Sequence, residues 1–312
     1  MRIAILNKYQ NKVFRGAETF VYELSSRLSK NHEVDTIADI NYFKLFRKRY
    51  DIIIPTNGRI QVILVRIISW LTGAKMIVSG QSGMGWDDRV NLYCFPDAFV
   101  ALSDKALSWA KKVNPFVKPV YIPNGVDLSK FKIQNSKFRI NDSRKTVLAV
   151  GAFTEQKRLN LAIDAVAKIP DVKLIIAGGG GELRQQIMDY GLKMLGKERF
   201  KVVSVPYEKM PEVYRSADVF TLPSASSESF GNVLVEAMAT GLPVVATDDP
   251  VRRGIVGEAG ILIDPTNTDA FADAVKTALA KNWGNIPRNQ AQKFSWEIVA
   301  EKYEDLFKKI AE

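Results

Sequence analysis

Histidine and cysteine are nearly absent. The 312 residues hold one of each, His32 and Cys94. A single cysteine forms no intrachain disulfide, which fits a reducing compartment. Zinc centres draw on several His and Cys ligands, so no metal is expected. A Ser-His-Asp triad would have to use His32, in Lys30-Asn31-His32-Glu33-Val34. A histidine at a loop between helix and strand is the simpler reading. Long apolar runs are missing too. A membrane span needs roughly 18 apolar residues, and the nearest run, Ile60 to Leu71, is broken by Arg66. Met1-Arg2 lead straight into the strand-like Ile3-Ala4-Ile5-Leu6, with no cleavage-site pattern behind, so no secretory leader is expected. These absences together point to a cytoplasmic protein.

What is present is ordinary in kind and uneven in place. The chain is 46% hydrophobic and 25% charged, the composition of a soluble globular protein. Its length suits two domains of about 150 residues each. Residues 1–140 carry 22 Lys and Arg against 11 Asp and Glu, while residues 141–312 carry 22 against 23. The first half therefore holds all of the +10 excess. A one-sided basic field suits an anionic partner, such as a membrane surface, a lipid phosphate or nucleic acid. Solubility alone also explains it.

Strand and helix patterns alternate along the whole chain. Strands are expected at Arg2–Leu6, Ile52–Pro55, Lys75–Ser79, Ala98–Leu102 and Val120–Pro123. After them come Thr146–Val150, Lys173–Ala177, Lys201–Val205, Val219–Pro223, Pro243–Thr247 and Ile261–Ile263. Several are unbroken apolar runs, as in parallel strands buried on both faces. Between them lie stripes of helical period, such as Ala17, Phe20, Val21, Leu24 and Leu28. Another is Trp296, Val299, Ala300, Tyr303, Phe307 and Ile310, behind Ser295 as N-cap. This rhythm predicts an α/β protein with doubly wound parallel sheets. A polar stretch without period, near residues 128–145, marks the linker. The expected division is 1–140 and 141–294. Ligands of such sheets bind outside the carboxyl ends of the strands.

The stretch Ser224-Ala225-Ser226-Ser227-Glu228-Ser229-Phe230-Gly231-Asn232-Val233-Leu234-Val235-Glu236 follows a strand and runs into a helix from about Gly231 to Thr240, closed by Gly241. A glycine at a helix N-terminus makes an anion site from backbone N–H groups and the helix dipole, and a diphosphate would fit there. Glu236 lies one turn beyond Asn232, and helical side chains lean toward the N-terminus. Its carboxylate repels phosphate, so it should accept from neutral hydroxyls such as those of ribose. Glu228, ahead of the helix, could do the same for a second sugar. Taken alone, the pair is better read as a surface helix residue and a loop charge.

The surrounding sequence alters that balance. The spacing of Glu228 and Glu236, the Phe-Gly between them and the following Glu-Ala-Met-Ala-Thr-Gly-Leu-Pro-Val-Val-Ala resemble the E-x7-E motif of retaining glycosyltransferases of the GT-B fold, glycosyltransferase family 4. The resemblance continues through Arg15-Gly16-Ala17-Glu18, the second-strand entry His32-Glu33-Val34, and Ile122-Pro123-Asn124-Gly125-Val126-Asp127. It goes on through Val150-Gly151 to Lys157, and through Tyr214-Arg215-Ser216-Ala217-Asp218-Val219. It implies two Rossmann-like domains facing across a cleft, with a helix at about 295–312 returning to the N-terminal acceptor domain. It implies a nucleotide-diphosphate sugar donor of UDP or GDP type, a glycan or lipid-linked acceptor, and no metal or other cofactor. It assigns Glu228 to the donor sugar, Glu236 to the ribose, and the backbone of Phe230, Gly231, Asn232 and Val233 to the diphosphate. Lys157 would neutralise the leaving group. Gly16 would admit the phosphates closely, and Tyr207 falls in the loop that meets the base. Arg15 lies beside Gly16 in the loop that would meet sugar or acceptor.

Two positions depart from the family pattern. Ala152 stands where an arginine is common, and Arg158 is the nearest replacement. The loop Val78-Ser79-Gly80-Gln81-Ser82 has no histidine, leaving Gln81 and Ser82 as its possible contacts to sugar or acceptor. Gly178-Gly179-Gly180-Gly181 lacks the G-x-G-x-x-G arrangement and is read as a tight turn. Asp248-Asp249-Pro250 is read as a turn, not a metal motif. Asn41 through Tyr50 mixes aromatic and basic residues, which suits an anionic membrane surface or a solvated basic face. The function expected is sugar transfer in bacterial cell-envelope polysaccharide synthesis, peripheral to the inner membrane face. A nucleotide-sugar epimerase and a catalytically degenerate binding protein are the alternatives. A nucleic-acid partner explains the basic half but not the glutamates, and is not expected.

Overall fold

The computed structural model describes residues 1–10, 16–132, 144–226 and 228–311. Arg15 and the middle of the expected linker lie outside those residues. The chain forms two compact units. One comprises Met1–Gly125 with Phe294–Glu312, the other Val126–Lys293.

In the first unit the order is β1 (Arg2–Leu6), α1 (Gly16–Leu28), β2 (Glu33–Ile37), α2 (Tyr42–Lys48), β3 (Ile52–Pro55) and α3 (Ile60–Thr72). Then come β4 (Lys75–Ser79), α4 (Trp86–Tyr93), β5 (Ala98–Ala101), α5 (Asp104–Val113) and β6 (Pro119–Tyr121). The strands form one sheet in the order β2-β1-β3-β4-β5-β6, and every pairing is parallel. The inner strands are buried along their length, so their apolar runs are unbroken. Edge strand β2 is half-exposed, and Glu33, Asp35 and Thr36 leave it neither an apolar run nor a clean alternation. That is why its residues alone gave no strand signal.

The second unit runs β7 (Lys145–Val150), α6 (Leu159–Ala167), β8 (Val172–Ala177), α7 (Arg184–Arg199), β9 (Phe200–Val203) and α8 (Met210–Arg215). It continues with β10 (Val219–Leu222), α9 (Asn232–Ala239), β11 (Val244–Thr247), α10 (Pro250–Val256), β12 (Gly260–Ile263), α11 (Thr268–Ala280) and α12 (Ile286–Gln292). Its parallel sheet has the order β12-β11-β10-β7-β8-β9. The order reverses between β7 and β10, and a crevice opens at such a switch point, beyond the strand carboxyl ends. Segment 126–132 goes with this unit. Phe131 packs on Tyr214 with ring centroids 5.8 Å apart, and Arg288 donates to the carbonyl oxygens of Leu128 and Ala239.

The glycine run after β8 has a steric cause. A Cβ on Gly178 would lie 2.1 Å from the carbonyl oxygen of Gly151. One on Gly181, at φ +126, would lie 2.3 Å from that of Phe153. The run lets the β8 loop lie against the β7 loop.

The helix α13 (Trp296–Ala311) belongs to the first unit. Ser295 caps it by accepting from the Ile298 N–H at 3.2 Å. Trp296, Val299, Tyr303, Leu306 and Phe307 are buried with Phe20, Val21 and Leu24 of α1 and Ile3 and Ile5 of β1. Each large apolar side chain so buried contributes ~1.5–3 kcal/mol.

Candidate active site at the second sheet's switch point

The two loops at the switch point carry the chemistry. After β7 the chain passes Gly151 and makes one turn of 3-10 helix at Glu155–Lys157. After β10 it passes Ser224 to Glu228 before α9 begins. A backbone hydrogen bond from Ala225 N–H to the Gln156 carbonyl, 2.8 Å, ties the loops together. The Lys157 stem lies over Gly151, where an added Cβ would stand 3.2 Å from Lys157 Cδ. This directs its ammonium to Glu228 Oε1 at 2.6 Å. Ser224 Oγ donates to Glu228 Oε2 at 2.7 Å. Burial pushes the Glu228 carboxyl up, but Lys157, Ser224 and Arg252 together pull it below its ordinary value.

Arg252 was not foreseen as a site residue. It lies on α10 with only 2% of its surface exposed. It pairs with Asp249, donates to Ser224 and Ala225 carbonyl oxygens at 3.2 and 3.1 Å, and stands 3.8 Å from Glu228 Oε2. Its Nε has no partner. Asp249 also accepts from the N–H groups of Val251 and Arg252, capping α10. The turn expected at Asp248-Asp249-Pro250 is thus a helix start. A signal for Arg252 existed in this capping pattern, but nothing in the sequence tied it to a loop 28 residues earlier.

Arg158 takes a left-handed backbone conformation, φ 46. It donates to the carbonyl oxygens of Pro223 and Ser224 at 2.8 and 2.9 Å and to Thr247 Oγ1 at 3.3 Å. Those bonds fix the backbone leading to Glu228. Burial and the neighbouring Arg252 charge lower its pKa. Three cations, Lys157, Arg158 and Arg252, and three carboxylates, Glu228, Asp249 and Asp264, therefore surround this loop.

Gly231 is the N-cap of α9 at φ 87, a conformation glycine adopts without strain. Phe230 beneath it is buried, and Asn232 and Val233 form the first turn. One turn on, Glu236 is 8% exposed, so it is neither a surface residue nor a solvated charge. Its carboxylate accepts from Tyr207 Oη at 3.2 Å and Tyr214 Oη at 2.6 Å. Burial raises its pKa against the lowering effect of both tyrosines and Lys130. Lys130 sits 4.0 Å from the Tyr207 ring centroid. Tyr207, Tyr214 and Phe131 thus form an aromatic wall around the carboxylate. Tyr214 and Lys130 join the site only through the fold.

The remaining expected residues lie in the first unit. Gly16 opens α1. Gln81 exchanges two hydrogen bonds with Asn124, 2.9 and 3.0 Å, and donates to Ser79 Oγ at 3.0 Å. It ties the β4 loop to the segment after β6. Ser82 is exposed in a turn beside it. Among the described residues, no group of three or more His, Cys, Asp or Glu is arranged to hold a metal ion.

Two doubly wound parallel sheets, with the Lys157 loop and a helix N-terminus at a switch point, define an α/β protein of the GT-B type. Solved structures bear out that fold. The chain superposes on Anabaena HepE in complex with UDP and glucose with a TM-score of 0.83, at 18% identity, covering 99% of this chain and 100% of that one. It matches sucrose-phosphate synthase of Thermosynechococcus elongatus at 0.81 and 20% identity, over 99% and 98% of the two chains. The sequence pattern of the family described as glycosyl transferases group 1 matches residues 130–295, just over half of the chain. This protein belongs to that family. Among its relatives, phosphatidyl-myo-inositol mannosyltransferase of Mycolicibacterium smegmatis is 34% identical over 217 residues, 64% of this chain and 54% of that one. The Mycobacterium tuberculosis protein of the same name is 33% identical over 232 residues, 68% and 59%. The chain thus spans little more than half the length of these relatives.

Proposed function

We propose that this chain is a glycosyltransferase that moves a sugar, with retention, from a nucleoside-diphosphate donor to a glycan or lipid-linked acceptor. The observation that carries this reading is the Lys157–Glu228–Arg252 cluster beside the α9 N-terminus, one helical turn from a buried Glu236. The diphosphate lies at the first turn of α9, against Phe230, Gly231, Asn232 and Val233. There the helix dipole and the Lys157 ammonium both favour it. Glu236 accepts from the ribose hydroxyls, Tyr207 meets the base, and Glu228 accepts from the donor sugar. The bond between sugar and phosphate breaks and the acceptor oxygen bonds to the same sugar carbon on the same face. The leaving phosphate takes the acceptor proton, and the Lys157 ammonium stabilises the charge that builds on it. The second unit is then the donor domain, and the first, with Gln81 and Ser82, meets the acceptor.

HepE carries UDP, which supports a UDP-type donor here, with GDP as the competing base. The relatives named for inositol-lipid mannosyl transfer support a lipid-linked acceptor in cell-envelope synthesis, met at the cytoplasmic membrane face. No metal takes part. Thermal shift and hydrolysis with UDP-, GDP-, ADP- and CDP-sugars test the reading, wild type beside Glu236→Ala and Lys157→Ala. One nucleotide class should stabilise the wild type and neither variant, and hydrolysis should persist in EDTA. Stabilisation by none of the four, with membrane extract added as acceptor source, sinks it.

A further inference from the structure

Helix α3 has apolar side chains on both sides. Val62, Val65 and Ile68 fill the core. Ile60, Ile63, Ile67, Trp70 and Leu71 face outward, each between 45 and 72% exposed. At ~100° per residue, the five outward residues fall within an arc of about 100°. A helix packed on one core needs one apolar face, so the second is unexplained by folding. Contiguous exposed apolar surface of this kind marks an interaction site. Helix α2 packs beside α3 and adds Phe43 and Phe46, 64 and 40% exposed.

The charge around this surface is positive on balance, although Lys48 pairs with Asp35, Arg59 with Asp87 and Arg66 with Asp97. Residues 41–72 contain six Lys and Arg, and Asp51 is their only acid. Lys44, Arg47 and Arg49 are exposed on and just after α2. Arg47 stacks over Phe43 at 4.8 Å, and Arg66 over Trp70 at 5.0 Å. On the α3 wheel, Arg59 and Arg66 flank the stripe on the Trp70 side. Aromatic and aliphatic groups are thus interleaved with cations.

We propose that the α2–α3 face docks the chain on an anionic lipid bilayer. Ile63, Ile67, Trp70, Leu71 and Phe43 enter the boundary between headgroups and acyl chains. The cations meet lipid phosphates, the arrangement of helices that lie in a membrane interface. A second copy of the chain is the poorer occupant, because pairing the face with itself sets the exposed Lys44, Arg47 and Arg49 against their own copies. Docking serves the proposed lipid-linked acceptor and rests on that reading for its purpose. It does not rest on it for its test, since vesicle binding needs no donor and nucleotide binding needs no vesicle.

The test is co-sedimentation of the full chain with vesicles of phosphatidylcholine, alone and with phosphatidylglycerol added. Binding should be at least about tenfold stronger with the anionic lipid and should weaken with salt. Ile67→Glu with Trp70→Glu should abolish it. Lys44→Glu with Arg47→Glu should remove the preference for anionic lipid, and Lys276→Glu on α11 should change nothing. Circular dichroism and nucleotide-induced thermal shift check that each variant is folded. The proposal is overturned by equal, weak binding to both vesicle types, or by unaltered binding of the folded apolar variant. Self-association without lipid that Ile67→Glu with Trp70→Glu removes also overturns it and assigns the face to a second copy.

Discussion

Glu228 and Lys157 hold one another in place across two loops, so neither is a free charge. Ala at position 157 leaves a half-buried carboxylate facing Ser224 and Arg252. We expect Lys157→Ala to lower kcat ~10²–10³-fold, the usual effect of losing one group that stabilises transition-state charge. Steady-state rates with the donor found in the screen measure it. Arg252 acts through its neighbours as a positioning residue. Arg252→Met strips the buried Asp249 carboxylate of its cation and should cost ~3–5 kcal/mol in urea unfolding. Arg252→Lys should retain part of the stability while lowering kcat more than it alters KM.

Asp88 offers a separate check. It is buried, and its Oδ2 has no partner. Burial, with the nearby Asp87 charge, pushes its pKa from 3.8 up to about 7. A carboxyl raised in the folded state stabilises fully below its unfolded value and loses that contribution as pH rises through the folded one. Stability should therefore decline between pH 4 and 8, by up to about 4 kcal/mol from this group. Asp88→Asn should flatten the profile and raise Tm at pH 8, as calorimetry across that range can read. Unchanged slopes in the variant would assign the pH dependence elsewhere.

At the level of elements, the inner strands were legible because burial on both faces writes unbroken apolar runs into the sequence. The edge strand β2 was legible only from its entry motif His32-Glu33-Val34, since exposure leaves Glu33, Asp35 and Thr36 polar. Gly231 and Gly241 bracket α9, and both take positive φ, so that helix could be read closely from its glycines. The cluster around it was only half legible. Lys157 and Glu228 could be named from motif resemblance, but Arg252, Tyr214 and Lys130 converge through strand order, which no local pattern records. The departure at Ala152 directed attention to Arg158, and the fold commits that side chain to loop carbonyls. The closely packed glycine Gly178 gives the element-scale prediction. Gly178→Ala places a methyl 2.1 Å from a backbone oxygen, so the β7 and β8 loops must separate. We expect a loss of ~1–3 kcal/mol with reduced donor affinity, because Lys157 stands on the displaced loop.

For the whole molecule, the first unit is discontinuous in sequence, with the second inserted between Gly125 and Phe294. Gly125 shows how closely the return is fitted: an added Cβ would lie 2.6 Å from the Trp296 ring. Without residues 294–312 the first unit loses Trp296, Val299, Tyr303 and Phe307 from its core. That truncation should leave the second unit folded and the first exposing apolar surface, giving dye binding and aggregation with a single remaining unfolding transition.

The position of α13 also sets an order of events at the ribosome. All of β1 to β6 emerges early, yet the helix that covers α1 is translated only after the entire second unit. The second unit is continuous and can close as soon as it is made. The first must wait with its α1 flank bare for the time needed to translate more than 160 intervening residues. During that interval Phe20, Val21 and Leu24 are open to chaperones, and slow translation should raise the protein's dependence on them.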